Sequence, residues 1–445
     1  MAASFGWGQI VRLGLVQTAL GAVVVLMTST INRVMVVELA LPAMVPGGLI
    51  ALHYAVQVLR PRWGYGSDVH GRRTPWIVGG MAALALGGFG AAVATALAET
   101  HQAAGLSLAV FSFLTVGIGA GAAGTSLLVL LATGVDARRR GAAATIVWVM
   151  MIAGFAITAP LAGHFLDPFS GARLVAVSGT VSAVAFVLAV LAVRGIEPAR
   201  ATPTADAVAK KPFRDVLAQV WAEPASRRFT IFIFVAMLAY SAQELILEPF
   251  AGLVFAMTPG VTTKLAGLQH GGVLAGMLMV AGLTMGIGGP VLGSLKLWTT
   301  VGCAGSALAL LGIAGGGLTG PDFPLRAAVF GLGLFNGIFA VAAIGSMMAL
   351  AGAGGEAERG TRMGVWGAAQ GVAFGAGGFL GTMAVDLARL VTPLPVHAYA
   401  AVFTGEALLF LVGAALALWI EHAPATRTRR VDRLGAAFEP QLSAQ

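Results

Sequence analysis

Two histidines lie at matching positions inside long uncharged stretches of this 445-residue chain. His53 comes seven residues after Pro46, and His270 comes seven residues after Thr263. If each stretch is a helix that begins there, both imidazoles lie about 10 Å from the same end, at about 1.5 Å per residue. A neutral imidazole is a good axial ligand for a metal in a macrocycle, whereas a single buried histidine more often bonds to a neighbouring group. The matched depth makes the two residues candidate ligands.

Six polar residues in two other apolar stretches could also do chemistry, because ionisable groups are costly in such surroundings and are often functional. They are Asn32, Arg33 and Glu38 in one stretch and Gln243, Glu244 and Glu248 in the other. Arg33 could pair with an acid of the other stretch, and Glu248 could carry a proton. A structural pair, or placement near the end of a helix, explains the same residues at least as well.

A third group is a charged loop with spaced glycines, "RPRWGYGSDVHGRRTPW" at 60–76. Its pattern G-x-x-x-D-x-x-G-R-R is formed by Gly64, Asp68, Gly71, Arg72 and Arg73. Glycines allow a tight turn under helix ends, and the carboxylate can bond to helix N–H groups and to arginines. The pattern predicts a latch between neighbouring helices. Arginines that only anchor the chain at a membrane surface are the alternative, but anchoring does not require the Gly and Asp spacing.

The elements that must position these groups are membrane-spanning helices. The chain is 58% hydrophobic and 10% charged, against roughly 25% charged in soluble globular proteins. Ten stretches of at least twenty residues contain no Asp, Glu, Lys or Arg, and two more, 229–257 and 398–421, qualify when internal glutamates are allowed. Each can cross a bilayer, which takes about 20 residues as a helix. The pattern predicts an all-α integral membrane protein with twelve transmembrane helices.

Basic residues are distributed unevenly between the loops of the two sides. Of the 27 lysines and arginines, 22 fall on the side that holds both termini, and the other side keeps Arg33, Arg173, Lys264, Arg326 and Arg389. Loops rich in Lys and Arg stay in the cytoplasm, so both termini are expected there. The net charge of +8 is therefore a signature of topology. No nucleic-acid partner is expected.

The chain divides into two predicted halves of six spans each. The first half is 1–195, the linker is 196–228, the second half is 229–421, and a cytoplasmic tail follows at 422–445. Apolar residues of the linker recur at helical spacing up to Trp221, which suggests a helix that lies on the inner membrane surface.

Internal similarity supports the division. Trp148 and Trp366 each follow an Arg-Gly pair and precede a glycine-rich run, and Glu38 aligns with Glu248. Parallel six-helix repeats are the major facilitator arrangement, in which the substrate binds between the halves. We therefore expect a major facilitator fold.

Catalytic patterns of soluble enzymes do not occur in the sequence. There is no P-loop, no HExxH and no CxxC, so an enzyme is not expected. The single cysteine, Cys303, excludes a disulfide within the chain and provides no metal cluster. Neither an intrinsic cofactor nor a bound metal ion is predicted.

Four longer stretches carry a family resemblance. They are "INRVMVVELALPA" (31–43), "RPRWGYGSDVHGRRTPWI" (60–77), "AYSAQELILEPFAGLVF" (239–255) and "TKLAGLQHGGVLAGM" (263–277). They resemble the PucC/LhaA family, the bacteriochlorophyll-delivery branch of the major facilitator superfamily in purple phototrophic bacteria. The resemblance extends over about residues 10–420. The aromatic residues among the glycines of 63–66 are most similar to a branch associated with bacteriochlorophyll synthase, which would not make the protein catalytic.

The resemblance implies a function in the assembly of light-harvesting complexes, in the bacterial inner (intracytoplasmic) membrane. Bacteriochlorophyll is the implied cargo, and antenna or reaction-centre polypeptides are the implied partners, possibly with bacteriochlorophyll synthase. The magnesium of the pigment then gives the two histidines a ligand. The candidate pigment-binding residues are His53, His270, Gln269, Trp148 and Trp366.

Three functions stay open at this point. The first is a carrier or assembly factor that binds bacteriochlorophyll and delivers it to light-harvesting or reaction-centre polypeptides. The second is a proton-coupled exporter of a small lipophilic compound. The third is a non-transporting assembly subunit associated with bacteriochlorophyll synthase. Pigment bound to the isolated protein would favour the first.

Overall fold

The computed structural model describes residues 5–56, 72–136, 139–197, 221–284, 289–353 and 356–419. This part of the chain is helical, and eleven of its helices are long and apolar enough to cross a membrane. A further apolar helix, Met44–Val56, has 13 residues and ends where the described segment ends. The predicted all-α membrane fold is confirmed. Most of the predicted linker helix lies outside the described residues.

The helices are numbered here in chain order. Those of the first half are α1 (Trp7–Val37), α2 (Met44–Val56), α3 (Thr74–Ala98), α4 (Gln102–Gly134), α5 (Arg140–Leu166) and α6 (Gly171–Val193). Those of the second half are α7 (Pro224–Phe255), α8 (Pro259–Gly282), α9 (Leu295–Thr319), α10 (Leu325–Ala353), α11 (Glu356–Val391) and α12 (Pro395–Leu418). A short helical turn, Gly289–Leu292, precedes α9.

Several of these helices begin where the sequence provides a start signal. Pro224, Pro259 and Pro395 occupy the first turns of α7, α8 and α12, where a missing N–H leaves no helical bond unmade. Thr258 caps α8, because its hydroxyl accepts from the N–H of Val261. The start of α7 at Pro224 lies five residues before the predicted start of the second half.

The helices of the two halves pack in the same pattern. In the first half α1 contacts α5 and α6, α2 contacts α4, and α3 contacts α4 and α6. In the second half α7 contacts α11 and α12, α8 contacts α10, and α9 contacts α10 and α12. Between the halves, α5 packs against α8, and α2 packs against α11. We call these contacts the α5–α8 seam and the α2–α11 seam.

The outer surface of the bundle is apolar. Leu86, Phe111, Leu161 and Leu308 are each more than half exposed, and many other large apolar side chains lie on the same surface. Such a surface would promote association in water, but it is the expected boundary toward lipid. The chain is therefore a multi-pass membrane protein.

Candidate functional site

A wide turn in α1 marks the first candidate region. Residues Leu26–Ile31 form a π-helical segment, and all six of its residues are buried. Such segments are rare and are frequent at functional sites. Asn32 follows the segment directly, and its side-chain Nδ2 donates to the carbonyl oxygen of Leu245 on α7, at 2.7 Å. The polar residues of α1 therefore face the second half.

Pro249 explains why Leu245 accepts this bond. In an α-helix the carbonyl of Leu245 would accept from the N–H of residue 249, and proline has no N–H. A buried carbonyl without a partner is costly. Asn32 is fully buried and supplies the donor from the other half of the molecule.

Arg33 also links the halves, but not as predicted. The predicted partner was an acid of the second half. The structure instead pairs Arg33 with Glu38 on its own helix, and only the Nη2 of Arg33 reaches the second half, where it donates to the carbonyl of Met257 at 2.6 Å. The guanidinium lies over Gly252, where an added Cβ would be 3.1 Å from Nε and Nη2. The ion pair of Arg33 is thus made within α1, and Glu248 of the second half lies within electrostatic range of the same guanidinium.

Glu248 lies beside this contact and is buried. Its carboxyl group is next to the hydroxyls of Ser29 and Thr262 and within electrostatic range of Arg33. Its Oε2 has no hydrogen-bond partner in the described part of the chain. A carboxyl group placed between α1, α7 and α8 in this way can take up a proton without losing a structural bond at that oxygen.

The other two polar residues of α7 lie in different surroundings. Gln243 is fully buried, and neither polar atom of its amide has a partner among the described residues. Glu244 is half-buried and lies within electrostatic range of Tyr240. Tyr240 and Tyr54 flank the ring of Phe374, with centroid distances of 5.8 Å and 5.6 Å. Tyr54, Tyr240 and Phe374 thus form an aromatic group between α2, α7 and α11, and Glu244 lies near its Tyr240 member.

His270 on α8 is buried in the α5–α8 seam. Its Nδ1 is 2.9 Å from the carbonyl oxygen of Ala266. A carbonyl can only accept, so Nδ1 carries the proton and Nε2 keeps its lone pair. The ring meets Phe155 of α5 edge to face, with the centroids 4.8 Å apart. This is the tautomer in which metal-binding histidines are usually held.

His53 on α2 is buried, and its backbone faces α4. Its ring meets that of Tyr54 edge to face at 4.9 Å, and Tyr54 in turn contacts Phe374 of α11. Behind His53 the backbone of α2 runs close to Gly117 of α4, where an added Cβ would lie 2.7 Å from the His53 carbonyl oxygen. The lack of a side chain at Gly117 therefore allows the backbone of α2 to approach α4 closely at His53.

The two histidines lie at unequal distances from the observed helix starts, which corrects the depth expected from Pro46 and Thr263. The helix α2 begins at Met44, nine residues before His53, and α8 begins at Pro259, eleven residues before His270. At the starts of α2 and α8, Ala43 is bonded to Asp386, and Gly260 lies against Asp167. His53 follows Ala43 by ten residues, and His270 follows Gly260 by ten.

Two phenylalanines near these histidines are equally spaced from the two aspartates. Phe374 precedes Asp386 by twelve residues, and Phe155 precedes Asp167 by twelve. His270 thus contacts Phe155 across the α5–α8 seam, whereas His53 contacts Tyr54, and it is Tyr54 that packs against Phe374 of α11.

The remaining predicted pigment contacts do not gather around one histidine. Gln269 is buried beside His270, with its backbone against α10. Trp148 is half-buried on α5. Trp366 is 1% exposed and packs against Phe229, at a centroid distance of 4.9 Å, in the core of the second half.

Only part of the predicted latch is described. Gly64, Asp68 and Gly71 lie outside the described residues, whereas Arg72 is exposed and Arg73 lies at the start of α3. The N–H groups of Arg73 and Thr74 donate to the carboxylate of Glu197, at 2.7 Å and 2.8 Å. An acid satisfies orphan N–H groups and complements the positive end of the helix dipole.

Five residues of these contacts were missed in the sequence. They are the aromatic neighbours Phe155 and Phe374 and the acids Asp167, Asp386 and Glu197. Asp167 and Asp386 each stand directly after an uncharged run, and that position was the available signal for a helix-end contact. The phenylalanines gave no signal, because apolar side chains fill every span.

Taken together, the α5–α8 seam contains apolar side chains and the buried imidazole of His270, and His53 is buried next to Tyr54, which packs in the α2–α11 seam. Nε2 of His270 keeps a lone pair, which a metal could accept. Among the described residues, no group of three or more His, Cys, Asp or Glu could hold a free metal ion.

Comparisons with known proteins agree with this description. A solved structure of a point mutant of the nucleoside transporter NupG superposes with a TM-score of 0.69 at 13% identity, over 93% of this chain and 99% of that one. The chain therefore has the major facilitator fold, as predicted.

Sequence relatives cover almost the whole chain. It is 54% identical over 420 residues to the bacteriochlorophyll synthase 44.5 kDa chain of Rhodobacter capsulatus, covering 94% of this chain and 97% of that one. It is 30% identical over 422 residues to Protein PucC of Cereibacter sphaeroides, covering 91% and 90%. The family model described as PUCC protein matches residues 30–424. The chain thus belongs to the PucC family, as its motifs indicated.

Proposed function

We propose that this chain is a membrane carrier or assembly factor that binds bacteriochlorophyll and delivers it to light-harvesting or reaction-centre polypeptides. The observation that carries the proposal is the buried imidazole of His270 in the α5–α8 seam, together with a second buried imidazole, His53, on α2. The relatives support it, because one is called Protein PucC and another a bacteriochlorophyll synthase chain. A buried imidazole among apolar side chains suits an apolar ligand that carries a metal, and bacteriochlorophyll is a ligand of this class.

The residues divide the binding task between them. Nε2 of His270 has the lone pair that the magnesium of the pigment accepts, and the bond from Nδ1 to Ala266 fixes that tautomer. Phe155 supplies aromatic surface beside the His270 ring, and Phe374 supplies it beside the Tyr54 ring. Trp366 is part of the second-half core, so its contribution to pigment binding is less direct. We assign Gln269 and Trp148 a similarly minor part in binding.

Binding without catalysis is the role we assign. The word synthase in one relative's name then describes association with the enzyme, and bacteriochlorophyll synthase is a possible partner. The protein acts in the bacterial inner (intracytoplasmic) membrane with both termini in the cytoplasm. The halves 1–195 and 229–421 move as units in this proposal, and the pattern from Gly64 to Arg73 latches neighbouring helices on the cytoplasmic side.

The test is the pigment content of the isolated protein. The protein is purified from pigment-containing membranes, and its near-infrared absorbance is compared with that of a His53→Ala/His270→Ala double variant. We expect bound bacteriochlorophyll in the native protein and a loss of at least tenfold in the double variant. His164→Ala is the matched control, because His164 is exposed at the end of α5. Undiminished pigment in the double variant would remove the histidines from the site.

A second candidate function rests on Glu248. Its buried oxygen without a partner is what a proton-coupled exporter of a small lipophilic compound needs. Efflux of the compound that stops when the proton gradient is removed would favour this function, provided that it also stops in the Glu248→Gln variant. The exposed Glu99→Gln serves as control. Antenna polypeptides that co-purify without pigment would instead favour a non-transporting assembly subunit.

A further inference from the structure

Two half-buried aspartates make equivalent contacts between the halves. Asp386, near the end of α11, accepts from the N–H of Ala43 at 3.0 Å and from the N–H of Met44 at 2.7 Å. Met44 is the first residue of α2, so both carboxylate oxygens cap that helix. The cap therefore comes from the opposite half of the molecule.

Asp167 makes the corresponding contact at the other seam. It follows α5 directly, and its Oδ1 accepts from the hydroxyl of Thr258, the cap residue of α8, at 2.9 Å. Its Oδ2 lies 3.9 Å from Nζ of Lys264 in the first turns of α8. The dipole of α8 adds to this attraction, as that of α2 does for Asp386.

Close helix packing accompanies both contacts. One turn before Asp167, a Cβ added to Gly163 would lie 3.0 Å from Cγ of Lys264. One turn before Asp386, Thr382 lies against Gly47, where an added Cβ would be 3.0 Å from Cβ of Thr382. The carboxylates thus sit at the ends of two tightly packed seams, and any separation of the halves at this end breaks both contacts.

We propose that Asp167 and Asp386 form a two-sided outer gate that holds the halves together on the side opposite the termini. The gate rests on the proposed carrier function in one respect, namely that the halves must separate at this end during delivery. When they separate, each carboxylate exchanges its helix-end donors for water. The closed form is therefore held by contacts that water can replace, which makes the gate reversible.

The test measures access from outside to a position behind the gate. Thr263 of α8 is fully buried and hydrogen-bonds to Thr30 of α1 at 2.9 Å. A Thr263→Cys variant is treated in right-side-out vesicles with a membrane-impermeant maleimide, and the labelled site is located by mass spectrometry. We expect labelling to be at least tenfold faster when Asp167→Asn and Asp386→Asn are added. Glu99→Gln, an exposed acid at the same end, is the control.

Cys303 reports unfolding in the same sample, because it is fully buried in the second-half core. Faster labelling at position 263 with Cys303 unlabelled supports the gate, and an unchanged rate overturns it. If Cys303 is also labelled, the double variant is unfolded. The labelling rate at position 263 is then measured in Asp167→Asn and Asp386→Asn separately, again with Cys303 required to stay unlabelled. Pigment content is measured in parallel, so that a pigment-free protein with faster labelling refutes the carrier and keeps the gate.

Discussion

Asn32 of the first half makes the hydrogen bond that Pro249 of the second half cannot make. The carbonyl of Leu245, left without its helical donor by the proline, accepts from the Asn32 amide at 2.7 Å. Neither residue alone indicates this relationship. Pro249 thus leaves a carbonyl on α7 to which α1 can bond. The π-helical segment that precedes Asn32 directs its side chain toward this carbonyl.

Replacing Asn32 with alanine should therefore destabilise the protein through the Leu245 carbonyl. We expect a loss of about 1 kcal/mol, since a hydrogen bond inside a membrane protein contributes about that much and the carbonyl is left buried without a donor. The measurement is the thermal midpoint in detergent.

A double-mutant cycle identifies the cause. In Asn32→Ala/Pro249→Ala the new N–H at position 249 can bond to Leu245, so the loss caused by Asn32→Ala should shrink in that background. Equal losses in both backgrounds would mean that Asn32 stabilises the protein in some other way.

The glycine behind His53 gives a prediction with a close control. Gly117→Ala would place a Cβ 2.7 Å from the carbonyl oxygen and 3.3 Å from Cα of His53, both backbone atoms that cannot rotate away. We expect a cost of about 1–3 kcal/mol and reduced pigment content, because α2 must shift with His53. Gly124→Ala on the same helix meets its nearest atom at 4.0 Å and should be tolerated. Equal behaviour of the two variants in absorbance and stability would contradict the packing argument.

Glu197 should stabilise the start of α3 through its two backbone acceptors. Glu197→Ala is expected to cost about 1 kcal/mol, as for other helix caps. Hydrogen exchange at the amides of Arg73 and Thr74 should accelerate in this variant. Glu197→Gln keeps one acceptor oxygen and should retain part of the protection. If exchange at Thr74 is the same in all three proteins, the cap does not hold the helix end.

The two phenylalanines of the seams should affect pigment binding alike, because they occupy equivalent places. Phe155→Leu and Phe374→Leu keep an apolar side chain but remove the ring contacts with His270 and with Tyr54, which contribute about 0.5–1.5 kcal/mol each. We expect a several-fold reduction of bound pigment in each variant, read from near-infrared absorbance. Phe323→Leu, outside both seams in the second-half core, should leave pigment content unchanged. An effect confined to one of the two seams would assign the pigment to that seam alone.

The fold was predictable because the bilayer imposes a simple rule on the sequence. An uncharged run of twenty residues has few alternatives to a spanning helix, and charged residues such as Arg140 and Asp167 mark where helices end. The depth of His53 and His270 was less readable, because the count began at Pro46 and Thr263 whereas α2 begins at Met44 and α8 at Pro259.

The contacts between distant residues were not predictable in the same way. Arg33 had three acids available to it in the sequence, and only the packing of α1 against α7 selects Glu38. The bond from Asn32 depends on the π-helical segment, which no residue pattern announces. In an apolar chain, Phe155 looks like any other lipid-facing or core residue until its seam is known.

The pairing of Asp167 with Asp386 has a consequence for how sharply the molecule can respond. If the halves part as units, as we propose, releasing one carboxylate leaves the other, together with the bonds of Asn32 and Arg33 to the second half, to hold them together. Opening must lose both carboxylate contacts in a single event, so the open and closed populations should exchange in an all-or-none manner. A protein built from one repeated half thus acquires cooperativity within a single chain.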